Sequence, residues 1–450
     1  MAPNVDQHLL SLLACPATGS QLCLDGIQLS SEDNLHHYPI IKGIPWLLNN
    51  PLHSMVDWSV KLNHFNQVIQ NEIRLLQNEL KNAKPLVIPR LEKLIESKSL
   101  FAQSVNQLVS PILSAKVAGK PVYDALSDRA PITLNLLSYE ANIYRDWVWG
   151  DEENSESLAL ILSQTIDIPV NKLLILGAGG CRIGYDLHMA LTPELTIAND
   201  INPLLLFAAQ KIIQGNGILL PEFPAQPRNA ESVAVNHKIL PTSTKPDNFH
   251  FVFSDASRPA IAAQAIDTLV TPWLIDVQPQ ELTCFAQTLN HYLPEGGSWI
   301  NFGSLAFNQS KLANCYTAEE IKAVIKEAGF ELEKYEQKEI PYLKSPYNAG
   351  YRMETVFAWR ARKVSQVSLP PVKQNLPDWL IDTAIPIPNS QSLQAFTFNH
   401  RMYADLTARV DGRQSIQKIG KQLAKEQKMD SKEAIAMVKS FFLRIIQDNF

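Results

Sequence analysis

The chain has 450 residues, 46% of them hydrophobic, and a formal charge of −5. That length and apolar content support two or three domains with cores of their own, and the mild acidity supplies no global basic field for nucleic acid. Five cysteines, odd in number and without paired spacing, point to a reducing compartment rather than a disulfide framework. No run approaches the roughly 20 apolar residues that span a bilayer, and the N-terminus lacks the basic start of a secretion signal, so a cytoplasmic protein without membrane contact is expected.

Four zones follow in chain order. Residues 1–50 are strand-like and turn-rich, ending in "YPIIKGIPWLL". Residues 51–135 carry apolar residues at helical spacing, which predicts a hairpin of two long helices with a kink near Pro89. Residues 136–363 alternate strand and helix signals: "KLLILG", "RIGYDLHMAL", "LTIAND", "PLLLFAAQKII", a Pro- and Asn-rich insertion over 215–247, then "FHFVFSD" and "AIDTLVTPWLID". The zone continues with "PQELTCFAQTLNHYL", "GSWINFG", "AEEIKAVIKEAG" and two closing strands. Such alternation predicts an α/β, Rossmann-like sheet with helices on both faces. Residues 364–380 are proline-rich and read as a linker, and 381–450 as a short strand region followed by helices.

The chemistry concentrates where the first strand of the third zone opens into Gly177, Ala178, Gly179 and Gly180. A glycine turn after a strand lets backbone N–H groups and a helix N-terminus meet a polar ligand. Asp200 lies 23 positions beyond Gly177, the spacing at which an acidic residue grips ribose hydroxyls. On its own the turn is shared by dinucleotide and S-adenosylmethionine sites. Asp255 and Ala256 follow the third strand, where the latter enzymes read adenine; a turn or cap role for Asp255 is the other reading. The ending, a turn before a buried strand and then a helix leading into a strand pair, favours a methyltransferase.

The stretches "YRDWVWGDEENSES", "LGAGGCRIGYDL", "AND", "VTPWLIDV" and "LPEGGSWINFGSLAF" together resemble the carnosine N-methyltransferase family of class I S-adenosylmethionine enzymes. The resemblance implies that Arg145 contacts the cofactor carboxylate and that Gly177, Ala178 and Gly179 wrap the methionine portion. It implies further that Asp200 holds the ribose, that Asp255 and Ala256 border the adenine, and that Thr271 lines the cofactor. Read without it, Arg145 could be only a salt-bridging surface arginine, but its company with Trp147 and Trp149 in one short polar loop favours a site residue. Asp276 matches the family position that binds the substrate imidazole. A carboxylate accepting the ring N–H fixes one tautomer and leaves the other nitrogen's lone pair free for the methyl group. Without the resemblance Asp276 reads as a helix cap before "PQELTCFAQTL". Two departures bear on the acceptor: Asn308 stands where the family has a substrate-binding histidine, and Ser304 where it has proline. Tyr351 corresponds loosely to a tyrosine that reaches the substrate.

The N-terminal zone resembles the small zinc-ribbon-like domain of a methyltransferase activator subunit, in degenerate form. Cys15 is kept, Thr18 replaces its partner and the second cysteine pair is absent, so no metal is expected. The tail, "VDGRQSIQKIGKQLA" and "SKEAIAMVKSFF", resembles a winged-helix module that captures leader peptides in ribosomal peptide biosynthesis; any small helical domain fits the pattern as well. The combined expectation is an S-adenosylmethionine-dependent N-methyltransferase of a histidine imidazole in a peptide or dipeptide, with a leader peptide as a possible partner of the tail. The alternatives are methylation of another amine and a non-catalytic cofactor-binding scaffold.

Overall fold

The computed structural model describes residues 5–48, 51–113, 138–307, 309, 312–370, 378–387, 389 and 401–447. After a short helix, Gln7–Leu12, come four short strands: β1 (Leu22–Asp25), β2 (Gln28–Ser31), β3 (His37–Ile41) and β4 (Ile44–Leu47), paired as an antiparallel meander. The helices Pro51–Leu80 and Ile88–Leu113 follow. They pack antiparallel: Phe65 meets Phe101 at 6.1 Å between ring centroids, and Lys98 pairs with Glu72 at 2.7 Å. Pro89 does not interrupt a helix: a 3-10 turn over Pro85–Val87 leads into the second helix at Ile88. Pro89 lies in the first turn of the second helix, where a missing N–H leaves no bond unmade.

The central sheet is built from β5 (Lys172–Leu176), β6 (Leu195–Asp200), β9 (Phe249–Ser254), β10 (Thr268–Pro272), β11 (Ser298–Gly303), β12 (Phe330–Tyr342) and β13 (Arg352–Lys363). The insertion between β6 and β9 folds as a separate hairpin, β7 (Ile218–Glu222) and β8 (Val235–Ile239). The order is β9-β6-β5-β10-β11-β13-β12, with β13 alone antiparallel to its neighbours. Side chains alternate across the strands. Leu174 and Leu176 join Phe285, Leu289 and Ile325 in one core, and Leu173 and Ile175 join Ile161, Ile183 and Leu187 in the other. Both faces are therefore buried, as parallel strands require.

The meander is continuous with this sheet. Strand β4 pairs in parallel with β9, Trp46 opposite Phe253 and Leu47 opposite Ser254. Trp46 is fully buried, its ring 4.9 Å from that of Phe253 and its indole donating to Ser54 at 2.7 Å. Leu9, Leu13, Cys15 and Leu29 enter the same core as Leu174 and Phe285. The Cys15 thiol faces the Tyr38 hydroxyl at 3.1 Å, while Cys23 is exposed.

The described residues 56–64, 378–387, 389 and 401–447 fall in a second compact unit. Its helices Arg401–Ala408, Ile416–Gln427 and Ser431–Gln447 enclose Trp379, Leu380, Ile419 and Phe442. Gly420 sits where a Cβ would stand 2.6 Å from Ile435, so the last two helices cross closely. Much of the strand region expected over 381–400 lies outside the described residues. Among the described residues no helix is long and apolar enough to cross a membrane.

Candidate active site

In an open parallel sheet, ligands bind at the carboxyl ends of the strands where the order reverses. Here that point is β5, flanked by β6 and β10. The Gly177–Gly180 loop follows β5, Asp200 ends β6, Asp255 follows β9, Asp276 follows β10 and Ser304 follows β11. Five chain segments thus bring their polar residues to one edge.

The loop's conformation dictates its glycines. Gly177 has φ +71 and Gly179 φ +56, in the left-handed region that glycine enters without a Cβ penalty. A Cβ on Gly177 would stand 2.7 Å from Leu274 Cδ1, so this loop lies directly against the segment that carries Asp276. Around Gly179 the same test meets nothing within 4 Å, which leaves the backbone open to a ligand. A Cβ on Gly180 would stand 2.4 Å from the Asp146 carboxylate. Cys181 also takes a left-handed φ, +64, and is fully buried. Burial pushes its thiol well above the ordinary value, so it packs rather than reacts.

Asp200 accepts from the N–H of Gly179 at 2.7 Å and from that of Asn202 at 2.8 Å. Burial raises its carboxyl and these N–H groups oppose the rise. One carboxylate therefore ties the glycine loop to the tip of β6. The Asp255 carboxylate accepts from the Ser257 N–H at 2.9 Å and hydroxyl at 2.7 Å, closing a turn at the carboxyl end of β9, and Ala256 beside it is buried. Thr271 is fully buried; its hydroxyl accepts from the Trp299 indole at 2.9 Å, so the side chain is spent within the sheet.

Arg145 is no surface arginine. It is 7% exposed and sits in a wide helical turn, Arg145–Trp149, that leans on the glycine loop. The Trp147 indole donates to the Gly180 carbonyl at 2.7 Å, and the Arg182 guanidinium donates to the Asp146 carbonyl at 2.9 Å. Arg145 pairs with Asp146 at 2.7 Å and Glu153 at 3.5 Å. Burial works against its charge, but these two carboxylates more than offset that and raise its pKa. Glu153 is itself pushed up to about 6, by burial first, with Arg145 opposing.

Asp276 is 6% exposed and does not cap a helix. The following helix starts at Leu282, and Glu281 caps it by accepting from the N–H groups of Thr283 and Cys284 at 2.9 and 3.1 Å. Asp276 instead accepts a hydrogen bond from the Ser304 hydroxyl. Burial raises its carboxyl; Ser304 and the Asp276 and Ala306 N–H groups pull it down, and the charge of Glu354 pushes it up. Between Pro272 and Asp276, Trp273 holds a left-handed φ of +51, a conformation worth about 1–3 kcal/mol of strain that clusters at functional sites. Its ring lies 4.8 Å from that of Tyr342, and the Arg352 guanidinium stands 4.4 Å over the other ring of the pair.

Tyr351 does not join this group. Its ring is 52% exposed, with the Lys344 ammonium 5.3 Å from its centroid. Asn308 lies outside the described residues. Sequence reasoning passed over Asp146, Glu153, Trp273, Tyr342 and Glu354. Only Asp146 offered a signal, as an acid beside the predicted arginine.

A parallel sheet of this order with one reversed strand, a glycine loop after its first strand and a carboxylate at the tip of the second define a class I S-adenosylmethionine-dependent methyltransferase. The family model described as carnosine N-methyltransferase matches residues 136–364, half of the chain. The chain belongs to the carnosine N-methyltransferase family, and it is an enzyme that uses S-adenosylmethionine. No curated protein matches it. Among solved structures it is similar to the N-methyltransferase NodS of Bradyrhizobium japonicum WM9 in complex with S-adenosyl-L-homocysteine, at 14% identity. That alignment covers 51% of this chain and 98% of the other, with a TM-score of 0.34. A SAM-dependent methyltransferase of Methanosarcina mazei aligns at 13% identity over 45% of this chain and 97% of its own, with a TM-score of 0.33.

Proposed function

We propose that the enzyme methylates a ring nitrogen of an imidazole, in a histidine-containing peptide or dipeptide. The observation that carries this reading is Asp276: a buried carboxylate, freed from capping by Glu281, held by Ser304 and set beside the glycine loop. When bound, the cofactor supplies an electrophilic methyl group on a sulfonium. In this reading Arg145 meets its carboxylate, the backbone of Gly177, Ala178 and Gly179 runs along its methionine portion, and Asp200 accepts from its ribose hydroxyls. Asp255 and Ala256 border the adenine, and the β10 backbone at Thr271 supports the floor.

Asp276 accepts the acceptor's ring N–H. That selects the tautomer whose lone pair faces the methyl group and offsets the positive charge that grows on the ring during transfer. No base has to remove a proton beforehand, because free imidazole, with a pKa near 6.5, is largely neutral at pH 7. In the sequence Asn308 stands at the position of the family histidine, and an amide there does not titrate. A peptide substrate's leader would add a strand to the C-terminal module, as the resemblance of that segment to a leader-capturing winged helix implies.

The pH dependence separates this from methylation of an aliphatic amine. For an imidazole acceptor, kcat/KM should rise about tenfold per pH unit up to roughly 6.5 and then flatten. An amine acceptor, protonated until roughly pH 10, would keep the rate climbing tenfold per unit across the neutral range. A continued climb from pH 7 to 9 overturns the imidazole reading.

A further inference from the structure

The buried pair Glu222 and His237 lies outside the groups that touch cofactor or acceptor. On the β7–β8 hairpin Glu222 faces Val235 across the strands, and His237 is its diagonal neighbour on the same face. Glu222 is 6% and His237 8% exposed. Three donors from three separate segments converge on this one carboxylate. Its Oε2 accepts from His237 Nε2 at 2.7 Å and from the Trp149 indole at 3.1 Å; its Oε1 accepts from the Ser345 hydroxyl at 2.8 Å. One residue earlier, the Pro221 carbonyl accepts from the Tyr144 hydroxyl at 2.5 Å. The His237 ring is flanked by those of Tyr144 and Tyr347, each 5.5 Å away.

Trp149 and Tyr144 bracket Arg145. Ser345 and Tyr347 belong to the connection between β12 and β13, whose Leu343 N–H also donates to Glu153, the second partner of Arg145, at 2.8 Å. The Arg145 turn is thus fixed on one side to the glycine loop through Trp147 and on the other to the hairpin through Glu222. A buried carboxylate with its acceptor capacity filled by neutral or charged donors rigidifies what it joins, whereas losing it leaves those donors unpaired.

We propose that Glu222 is a positioning residue for the cofactor: through Trp149 it sets the placement of Arg145, and the β7–β8 hairpin exists to supply it. This rests on the role given to Arg145 above. The test is a double-mutant cycle on the full-length enzyme, read as the dissociation constant of S-adenosyl-L-homocysteine and as the KM and kcat with S-adenosylmethionine. Glu222→Gln should weaken binding and raise KM about tenfold, with kcat at saturating cofactor within about twofold of native. Trp149→Phe, which removes a single donor, should show a smaller loss of the same kind. In an Arg145→Ala background, Glu222→Gln should add less than about a twofold loss, because its effect runs through the missing side chain. Equal losses in both backgrounds, or lowered thermal stability with unchanged affinity for both variants, overturn the proposal. A native affinity for Arg145→Ala alone overturns the arginine reading on which it rests, and is seen independently of Glu222.

Discussion

Asp276→Ala is expected to lower kcat for methyl transfer by about a thousandfold, the scale of losing one preorganised partner of a developing charge, while cofactor affinity stays within about threefold of native. Two features set this split. The side chain is buried and oriented by Ser304, so it would meet the proposed acceptor in a single pose. It makes no hydrogen bond to the glycine loop, whose own carboxylate partner is Asp200. Asp276→Asn is the sharper variant, since it keeps the volume and removes the charge, and it should lose nearly as much. Single-turnover transfer and equilibrium titration with S-adenosyl-L-homocysteine read the two effects separately. A parallel loss of binding and transfer would assign Asp276 to the cofactor instead.

Asp200→Ala should do the reverse. A hydrogen bond to a charged group contributes about 1.5–3 kcal/mol, so removing the proposed ribose partner should weaken cofactor binding by about ten- to a hundredfold. The Gly179 N–H would lose its acceptor at the same time, which loosens the loop and places the effect toward the upper end. With cofactor raised to saturation, kcat should recover to within a few-fold of native. The check is the ratio of KM to kcat effects; a kcat that stays low at saturation contradicts the assignment.

The glycine loop and the acid at the next strand's tip were legible because their signals are local. A buried aliphatic run, glycines at the turn and an acid at the next strand's end all lie within one strand–helix–strand unit, and φ values of +71 and +56 at Gly177 and Gly179 supply the physical reason for two of those residues. The acceptor half depends on contacts distant in sequence. Asp276 read equally as a cap before "PQELTCFAQTL", and only the helix start at Leu282, which gives the cap to Glu281, removes that reading. Tyr351 and Tyr342 flank the same connection between β12 and β13. The hairpin register, which sets Tyr342 against Arg352, leaves the former beside Trp273 and the latter's neighbour Tyr351 outside. The pairing of Trp46 with Phe253 was out of reach for the same reason: a parallel strand partner two hundred residues away leaves no periodic trace. Glu222 and His237 sat in a stretch that read only as an irregular insertion, because two five-residue strands carry too short a pattern to register.

The most direct test of the imidazole assignment is to incubate the full-length enzyme with isotopically methyl-labelled S-adenosylmethionine and a panel of acceptors. The panel holds histidine dipeptides, histidine-bearing peptides encoded near the gene, and matched versions with each histidine replaced by alanine. Fragment mass spectrometry should place the label on the imidazole ring of at least one acceptor and find none in its alanine counterpart. Label on an α-amino group or a lysine side chain, or equal labelling of the alanine versions, would contradict the account.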